Sequence, residues 1–458
     1  MPNRRYRQIL VLYHDENREK IINEMVRDII LREKIADSVY VGELYETLSR
    51  PYIFTPDLMI TILPRDFFST AVFTYVKTIW ECYIVSIPTE GFFDLSEDTM
   101  HKYIGFNETP ALLIDKYVFF GKGICEAAEK QLKKYNKIES EDQTDSFGYL
   151  FYEKNFFKNY IKQTDTSNYI HDLKKHYKKI IIFVLTHMGR DLQESDYYNE
   201  SSVDLLNEDA VKQIKTRIKC NSYYSDKYIE MIYKSSQKFP DYLFIVKKHP
   251  VEASYLRDWT GSTRYDRLEG IKNIVFVNEP DPVSLYFELS DIMVNYGSTT
   301  AMEAYIYGLP VVHLLNDHPE AFVECYGAKF PAQEYVNVSD FESFAMLIEK
   351  DLKFRITDEL ESELESLVNY SSEEVYEPSV KLGRILIELP DNPLQLSIND
   401  PVVKKIYQSK EFNYWQNVVF KNSVKDILKL KISDALKGIK FCLKHSFIII
   451  RYAFSRAG

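Results

Sequence analysis

Residues 291–312 read DIMVNYGSTTAMEAYIYGLPVV, a pattern that predicts a strand, a turn, a helix and a second strand in direct succession. The apolar run that ends at Asn295 predicts a buried strand, and Ser298–Tyr307 has the pattern of a helix. Gly308 ends that helix before the next predicted strand, Leu309–Leu315. A strand, a helix and a second strand in this order indicate a parallel sheet that is covered by helices.

The same alternation extends along most of the chain on both sides of this stretch. In the first half, short apolar or β-branched runs predict the strands Ile9–Tyr13, Ser38–Val41, Leu58–Leu63, Cys82–Ile87 and Tyr117–Phe120. In the second half, the same signal predicts Ile180–Leu185, Tyr242–Lys247, Asn273–Val277 and Asp291–Asn295. Helical patterns such as Glu19–Glu33 and Phe67–Trp80 separate them. We therefore predict an α/β fold with two Rossmann-like domains that face a cleft, residues 1–170 and 171–400.

The last part of the chain differs in charge from the rest. Residues 401–458 carry twelve Lys/Arg and three Asp/Glu, a net charge of +9, so the other 400 residues carry −11 − 9 = −20. From Val424 onward, apolar residues recur at steps of three and four, which predicts a basic amphipathic helix. Such a helix binds an anionic membrane surface, although it could instead dock on the acidic body or on a partner protein.

The composition narrows the class and location of the protein. A net charge of −11 disfavours a nucleic-acid partner. The five cysteines are widely spaced and lack any C-x-x-C pair, which predicts reduced thiols and no zinc site. We see neither a signal peptide nor an apolar run long enough to span a bilayer. The predicted location is cytoplasmic and peripheral, on the inner face of the cytoplasmic membrane.

Polar residues with binding potential follow the predicted strands. After Asn295, the turn and the first residues of the helix could bind a phosphate through backbone N–H groups and hydroxyls. One turn into that helix, Glu303 could accept hydrogen bonds from a ribose. An ordinary N-capped helix explains the same pattern. The predicted phosphate-binding residues are Gly297, Ser298, Thr299 and Thr300.

Two other strand ends carry charged residues. Lys248 and His249 follow Tyr242–Lys247, where a cation would offset the charge of a diphosphate or an acidic sugar. Glu90 and Gly91 follow Cys82–Ile87, and a carboxylate there could act as a general base or a nucleophile. Solvated surface residues and turn residues are the alternative interpretation in both cases.

Taken together, these motifs resemble those of GT-B glycosyltransferases of bacterial surface-carbohydrate biosynthesis, a group that includes the Kdo transferases. The similar pieces are P-T-E-G at 88–91, K-K-H-P at 247–250 and N-Y-G-S-T-T-A-M-E-A-Y-I-Y-G-L-P-V-V at 295–312, and the resemblance covers roughly residues 8–390. It implies transfer of a sugar, best matched by CMP-Kdo, from a nucleotide donor to a surface glycan or lipid-linked glycan. It also implies that the first domain binds the acceptor and the second the donor.

The resemblance assigns roles to individual residues. Ser298, Thr299 and Glu303 would hold the donor nucleotide, with Lys248 and His249 at its phosphate or sugar. Arg190 would lie near the donor in the loop after Ile180–Leu185, and the helical segment Leu382–Leu389 would cross back onto the first domain or simply pack in the core. Glu90 would be the acidic catalytic residue. Candidates for a second carboxylate are Asp94, Asp115 and Asp191.

No cofactor and no metal are expected, because the group is metal-independent and the chain lacks a D-x-D motif. Three alternatives stay open. One is a nucleotide-sugar epimerase of GT-B type, and another is a polyol-phosphate transferase. The third is a non-catalytic membrane scaffold with a degenerate transferase fold.

Overall fold

A computed structural model describes most of the chain. The described residues are 6–14, 16–62, 64, 67–88, 95, 109–160, 165–184, 226–248, 265–277, 282–295, 298–314, 337–338, 340–397 and 399–427. They form two six-stranded sheets, ordered β2-β1-β3-β4-β5-β6 and β12-β11-β10-β7-β8-β9. Every strand pair in both sheets is parallel. The prediction of two Rossmann-like sheets is confirmed.

The first sheet consists of β1 Tyr6–Tyr13, β2 Ala36–Glu43, β3 Leu58–Thr61, β4 Tyr83–Ser86, β5 Lys116–Phe119 and β6 Thr144–Ser146. The second consists of β7 Lys179–Val184, β8 Tyr242–Lys247, β9 Ile274–Val277, β10 Ile292–Asn295, β11 Val311–Leu314 and β12 Asn337–Val338. Every residue of β7 and β8 is buried, as expected for strands covered on both faces. The sequence did not predict β6 and β12, because they are short and mostly polar.

Helices connect the strands and cover the sheets. Those of the first half are α1 Glu16–Arg32, α2 Leu44–Leu48, α3 Phe67–Trp80, α4 Lys122–Lys134, α5 Lys154–Phe157 and α6 Asp165–Leu173. Those that accompany the second sheet are α7 (226–238), α8 Ser284–Phe287, α9 Thr300–Ile306 and α10 Phe341–Glu349. The last four are α11 Asp358–Val368, α12 Pro378–Ile387, α13 Pro401–Tyr407 and α14 Lys410–Ile427.

After the second sheet, the chain returns to the first domain. The Tyr6 hydroxyl of β1 donates to the backbone oxygen of Leu386 in α12 at 3.3 Å. The Asn369 carboxamide at the end of α11 accepts from the Lys122 N–H of α4 at 2.7 Å. The return predicted for Leu382–Leu389 is therefore observed. We predicted residues 358–397 within the second domain, but they pack on the first. The prediction was wrong here because a helical pattern in the sequence does not indicate which sheet the helix will cover.

Helices α13 and α14 also pack on the first domain. The Tyr407 hydroxyl lies 2.6 Å from the Thr78 hydroxyl of α3, and the Phe412 ring lies edge-on to Tyr75 at 5.6 Å. The buried stripe of the two helices is Val403, Ile406, Phe412, Trp415 and Val419. Residues 401–423 are thus part of the packed body and not a separate tail. We did not predict this packing because the basic composition of residues 401–458 drew attention to their charge and not to the apolar stripe. The predicted amphipathic segment beyond residue 427 lies outside the described residues.

Among the described residues, no helix combines the length and the apolar character that a bilayer crossing requires.

Candidate functional site

The sheet order brings two of the predicted binding segments to one edge of the second sheet. Strand β7 lies between β8, which leads to Lys248, and β10, which leads to Ser298. Parallel neighbours are about 4.8 Å apart, so the ends of β8 and β10 lie about 10 Å from each other. The remaining predicted site residues fall outside the described residues: Glu90, Arg190, His249 and Gly297.

After β10, the Ser298 and Thr300 hydroxyls contact each other at the start of α9. Asn295 Oδ1 accepts from the Ser298 N–H at 3.1 Å. The Ser298 hydroxyl lies 2.6 Å from that of Thr300 and accepts from the Thr300 N–H at 3.3 Å. Thr299 stands at the N-cap position, and its side chain makes no cap hydrogen bond. Thr299 thus supplies no side-chain cap, whereas the Ser298 hydroxyl accepts within the turn, and a phosphate role for these hydroxyls stays a prediction.

A buried hydrogen-bond network of three side chains, Asn295, His313 and Tyr305, lies next to this turn. Asn295 Nδ2 lies 3.3 Å from Nδ1 of His313 on the adjacent strand β11, and His313 Nε2 lies 2.6 Å from the Tyr305 hydroxyl of α9. Because the Ser298 N–H can only donate, Asn295 must direct its oxygen to Ser298 and its NH₂ group to His313. His313 Nδ1 is therefore an acceptor, and the proton of the neutral ring sits on Nε2. Burial lowers the pKa of His313 to about 4, which keeps the ring neutral.

This network was not predicted from the sequence. Asn295 and His313 are polar residues in the otherwise apolar strands IMVN and VVHL, and they occupy paired positions in the sheet. The signal available in the sequence was a polar residue within each of two otherwise apolar strands, since buried polar groups need hydrogen-bond partners.

Replacing Asn295 by aspartate tests the direction of these hydrogen bonds. The carboxylate would still accept from Ser298, but it would place a negatively charged acceptor against Nδ1 of His313. We expect the pKa of His313 to rise by at least two units, because an adjacent carboxylate favours the imidazolium. Histidine NMR titration measures this. Asn413→Asp adds the same charge at an exposed position of α14 and should leave His313 unchanged; an unchanged pKa in Asn295→Asp would contradict the assignment.

Glu303 is buried on α9 without a cationic partner among the described residues. It is 8% exposed, and burial raises the pKa of its carboxyl to about 8. The Ser284 hydroxyl of α8 is near enough to oppose part of that rise, yet it forms no hydrogen bond of standard geometry with any described residue. Tyr307, which directly follows α9, and Tyr152 of the first domain lie close enough to interact with its charge. A buried carboxyl of this kind can gain or lose a proton near neutral pH, or it can accept hydrogen bonds from the hydroxyl groups of a ligand.

The Lys248 side chain turns toward the opposite side of β8. Its ammonium lies 4.6 Å from the ring centre of Tyr265 and 5.2 Å from that of Phe276, a residue of β9. These distances are within the range of cation–π interactions. Strand β9 lies on the other side of β8 from β7 and β10, so the structure does not bring the Lys248 ammonium to the turn that begins α9.

In the first domain, one of the three candidates for a second carboxylate can be examined. Asp115 is buried and paired with Lys77 of α3, and its oxygens also accept from the N–H groups of Ile84 and Leu394. Because these partners engage both carboxylate oxygens, we assign Asp115 a structural role and not the role of a second catalytic carboxylate. Asp94 and Asp191 lie outside the described residues.

Comparison with known proteins identifies the architecture. No protein-family model matches the chain, and no curated protein does so either. A solved structure assigned as a UDP-N-acetylglucosamine 2-epimerase from Listeria monocytogenes has a TM-score of 0.50 and 10% identity, over 85% of this chain and 99% of that one. Another UDP-N-acetylglucosamine 2-epimerase has a TM-score of 0.50 and 13% identity over the same shares. The chain has the GT-B fold of these proteins.

Proposed function

We propose that this protein binds a nucleotide sugar between its two domains and transfers the sugar to a surface glycan or lipid-linked glycan. The observation that carries the proposal is the carboxyl edge of the second sheet, where the turn after Asn295 leads into α9 and its buried Glu303, which has no cationic partner among the described residues. Ligands of open α/β sheets bind at this edge. Glu303 would accept hydrogen bonds from the ribose, and the segment 297–300 would lie beside the phosphates.

The remaining predicted residues complete the proposed site. Lys248, His249 and Arg190 would contact the donor phosphate or sugar, which for Lys248 requires a rotation of the side chain away from Tyr265 and Phe276. Glu90 would deprotonate the acceptor hydroxyl. No metal is assigned a role. CMP-Kdo is the donor that the sequence resemblance implies.

A nucleotide-sugar epimerase is the second candidate function. The two similar structures reported above are a UDP-N-acetylglucosamine 2-epimerase and a protein assigned as one, which makes a UDP-sugar the alternative ligand. An epimerase acts on the nucleotide sugar alone, whereas a transferase requires an acceptor.

Thermal stabilisation of the full chain by CMP, CDP, UDP, GDP and ADP tests the proposal first. A ligand that binds only the folded state raises the melting temperature by mass action. Stabilisation by CMP would support a Kdo-like donor, by CDP a polyol-phosphate donor, and by UDP a UDP-sugar. An unchanged melting temperature with all five nucleotides would favour the non-catalytic scaffold. The full chain is needed because truncation at residue 400 would remove α13 and α14 from the first domain.

Replacing Glu90 by glutamine then separates chemistry from binding. We expect transfer to be lost while nucleotide stabilisation persists, because the amide keeps the size of the side chain but cannot accept a proton. Product analysis with and without an acceptor measures both activities, and Glu81→Gln is a matched change on the described part of the same domain. Transfer near the wild-type rate would remove Glu90 from the mechanism, and conversion of the sugar without an acceptor would establish the epimerase.

A further inference from the structure

The exposed side of α13 and α14 has an unusual composition for this acidic protein. Among the exposed residues of 401–423, four are lysines, two are large aromatic residues and none is acidic. The Tyr414 and Phe420 side chains are 61% and 53% exposed. The other 400 residues of the chain carry a net charge of −20. We call this surface the basic aromatic face; its members are Lys404, Lys405, Lys410, Tyr414, Phe420 and Lys421.

We propose that the basic aromatic face is a docking surface for an anionic lipid bilayer. Lysines next to an anionic leaflet gain attraction from its surface potential, and aromatic side chains favour the level of the lipid headgroups. The sequence continues in the same character, because residues 428–458 contain seven Lys/Arg and one acidic residue together with the apolar run Phe447–Ile450. A soluble polyanion would offer charge but no apolar region for such residues, whereas a bilayer offers both.

The face is fixed to the first domain. On its inner side, Trp415 packs edge-on against Phe68 at 5.8 Å and against Tyr45 at 6.0 Å. Asn422 donates to the Ser49 hydroxyl at 3.1 Å near the far end of α14. A bilayer bound to this face would therefore hold the first domain in a defined orientation. If the proposed transferase function is right, this is the domain that receives a lipid-linked acceptor.

Vesicle co-sedimentation of the full chain tests the docking surface. Wild-type protein should bind vesicles of phosphatidylcholine with about 30% phosphatidylserine, and it should bind pure phosphatidylcholine weakly. Raising the salt to about 0.5 M should release most of it, because the Debye length becomes shorter than the lysine–headgroup separation. Replacing Lys404, Lys405, Lys410 and Lys421 by glutamine should weaken binding at least tenfold, even with residues 428–458 intact.

A matched variant controls for net charge. Glutamine at four exposed lysines elsewhere removes the same charge and should leave binding within about twofold of wild type; these are Lys272, Lys350, Lys353 and Lys381. Tyr414→Ser with Phe420→Ser should weaken binding but keep its salt dependence. Equal binding by the two lysine variants, or no binding of wild type to anionic vesicles, would overturn the proposal. The assay contains no nucleotide, so its outcome is independent of the proposed enzymatic function.

Discussion

Replacing Lys77 by methionine should lower the free energy of unfolding by about 3–5 kcal/mol. The Lys77 ammonium pairs with the Asp115 carboxylate, and the two side chains are only 2% and 1% exposed. Methionine fills a similar volume but leaves the carboxylate buried without its counter-charge. Burial already raises the pKa of Asp115 against the opposing effect of Lys77, so removal of the lysine should raise that pKa further.

The effect should extend to the returning C-terminal segment. One oxygen of Asp115 accepts from the Ile84 N–H of β4, and the other accepts from the Leu394 N–H that follows α12. The pair thus connects α3, the first sheet and the chain that leads to α13. We expect faster amide hydrogen exchange around Leu394 in Lys77→Met than in wild type.

Urea unfolding followed by circular dichroism measures the loss of stability. Lys133→Met is the matched control, because its ammonium pairs with Glu129 and Glu141 at the surface, where such pairs contribute about 0–1 kcal/mol. Adding Asp115→Asn to Lys77→Met should restore part of the loss by removing the buried charge. If Lys77→Met shifted the unfolding midpoint no more than Lys133→Met, the buried pair would not stabilise the domain.

This pair illustrates which features the sequence could predict. The helix that carries Lys77 was predicted with the observed bounds, Phe67–Trp80, because its apolar pattern is local. Asp115 appeared only as one of three candidate catalytic carboxylates. Its partner in the structure is Lys77, which lies 38 residues away in the sequence on another element. The spacing of residues in the sequence does not predict such a contact.

The same distinction applies to the rest of the molecule. Continuous apolar runs predicted the central strands of both sheets, because burial on both faces requires them. The return of residues 358–423 to the first domain depends on long-range packing, such as Tyr407 against Thr78, which no local pattern encodes. At the candidate site, the motif after Asn295 was visible, whereas the support by His313 required the strand register.

Glu303 should make the stability of the protein fall as the pH rises. In the folded chain its pKa is raised to about 8, whereas the unfolded carboxyl has the ordinary value of 4.5. Between these values the folded state retains a proton that the unfolded state has released. The free energy of unfolding therefore decreases with pH in this window, by about 1.4 kcal/mol per pH unit for one proton.

Comparison with Glu303→Gln isolates this contribution. The amide cannot titrate, so the stability of wild type relative to the variant should decline from about pH 5 to about pH 8 and then level off. Among the described residues, the groups that face Glu303 are Tyr152, Tyr307 and Ser284, and the Lys154 ammonium lies over the Tyr307 ring at 4.7 Å. Glu288→Gln removes an exposed carboxylate on the neighbouring segment and is the matched substitution. A constant difference between wild type and Glu303→Gln would show that the Glu303 proton is not retained on folding.

Nucleotide binding should reverse the preference of Glu303 for its proton. Under the proposed function, ribose hydroxyls donate to this carboxylate, and the ionised form is the better acceptor. Binding would then release a proton, so the affinity for a sugar nucleotide should rise about tenfold per pH unit between about pH 6 and pH 8. Calorimetry with UDP-glucose and CMP-Kdo measures this, since their phosphodiester groups keep the same charge throughout that range. Glu303→Gln should bind weakly at every pH, and a 2′-deoxyribose donor should lose part of the pH dependence. Tight binding that is independent of pH would make Glu303 a structural acid and place the ribose elsewhere, even if the pH trend in stability is observed.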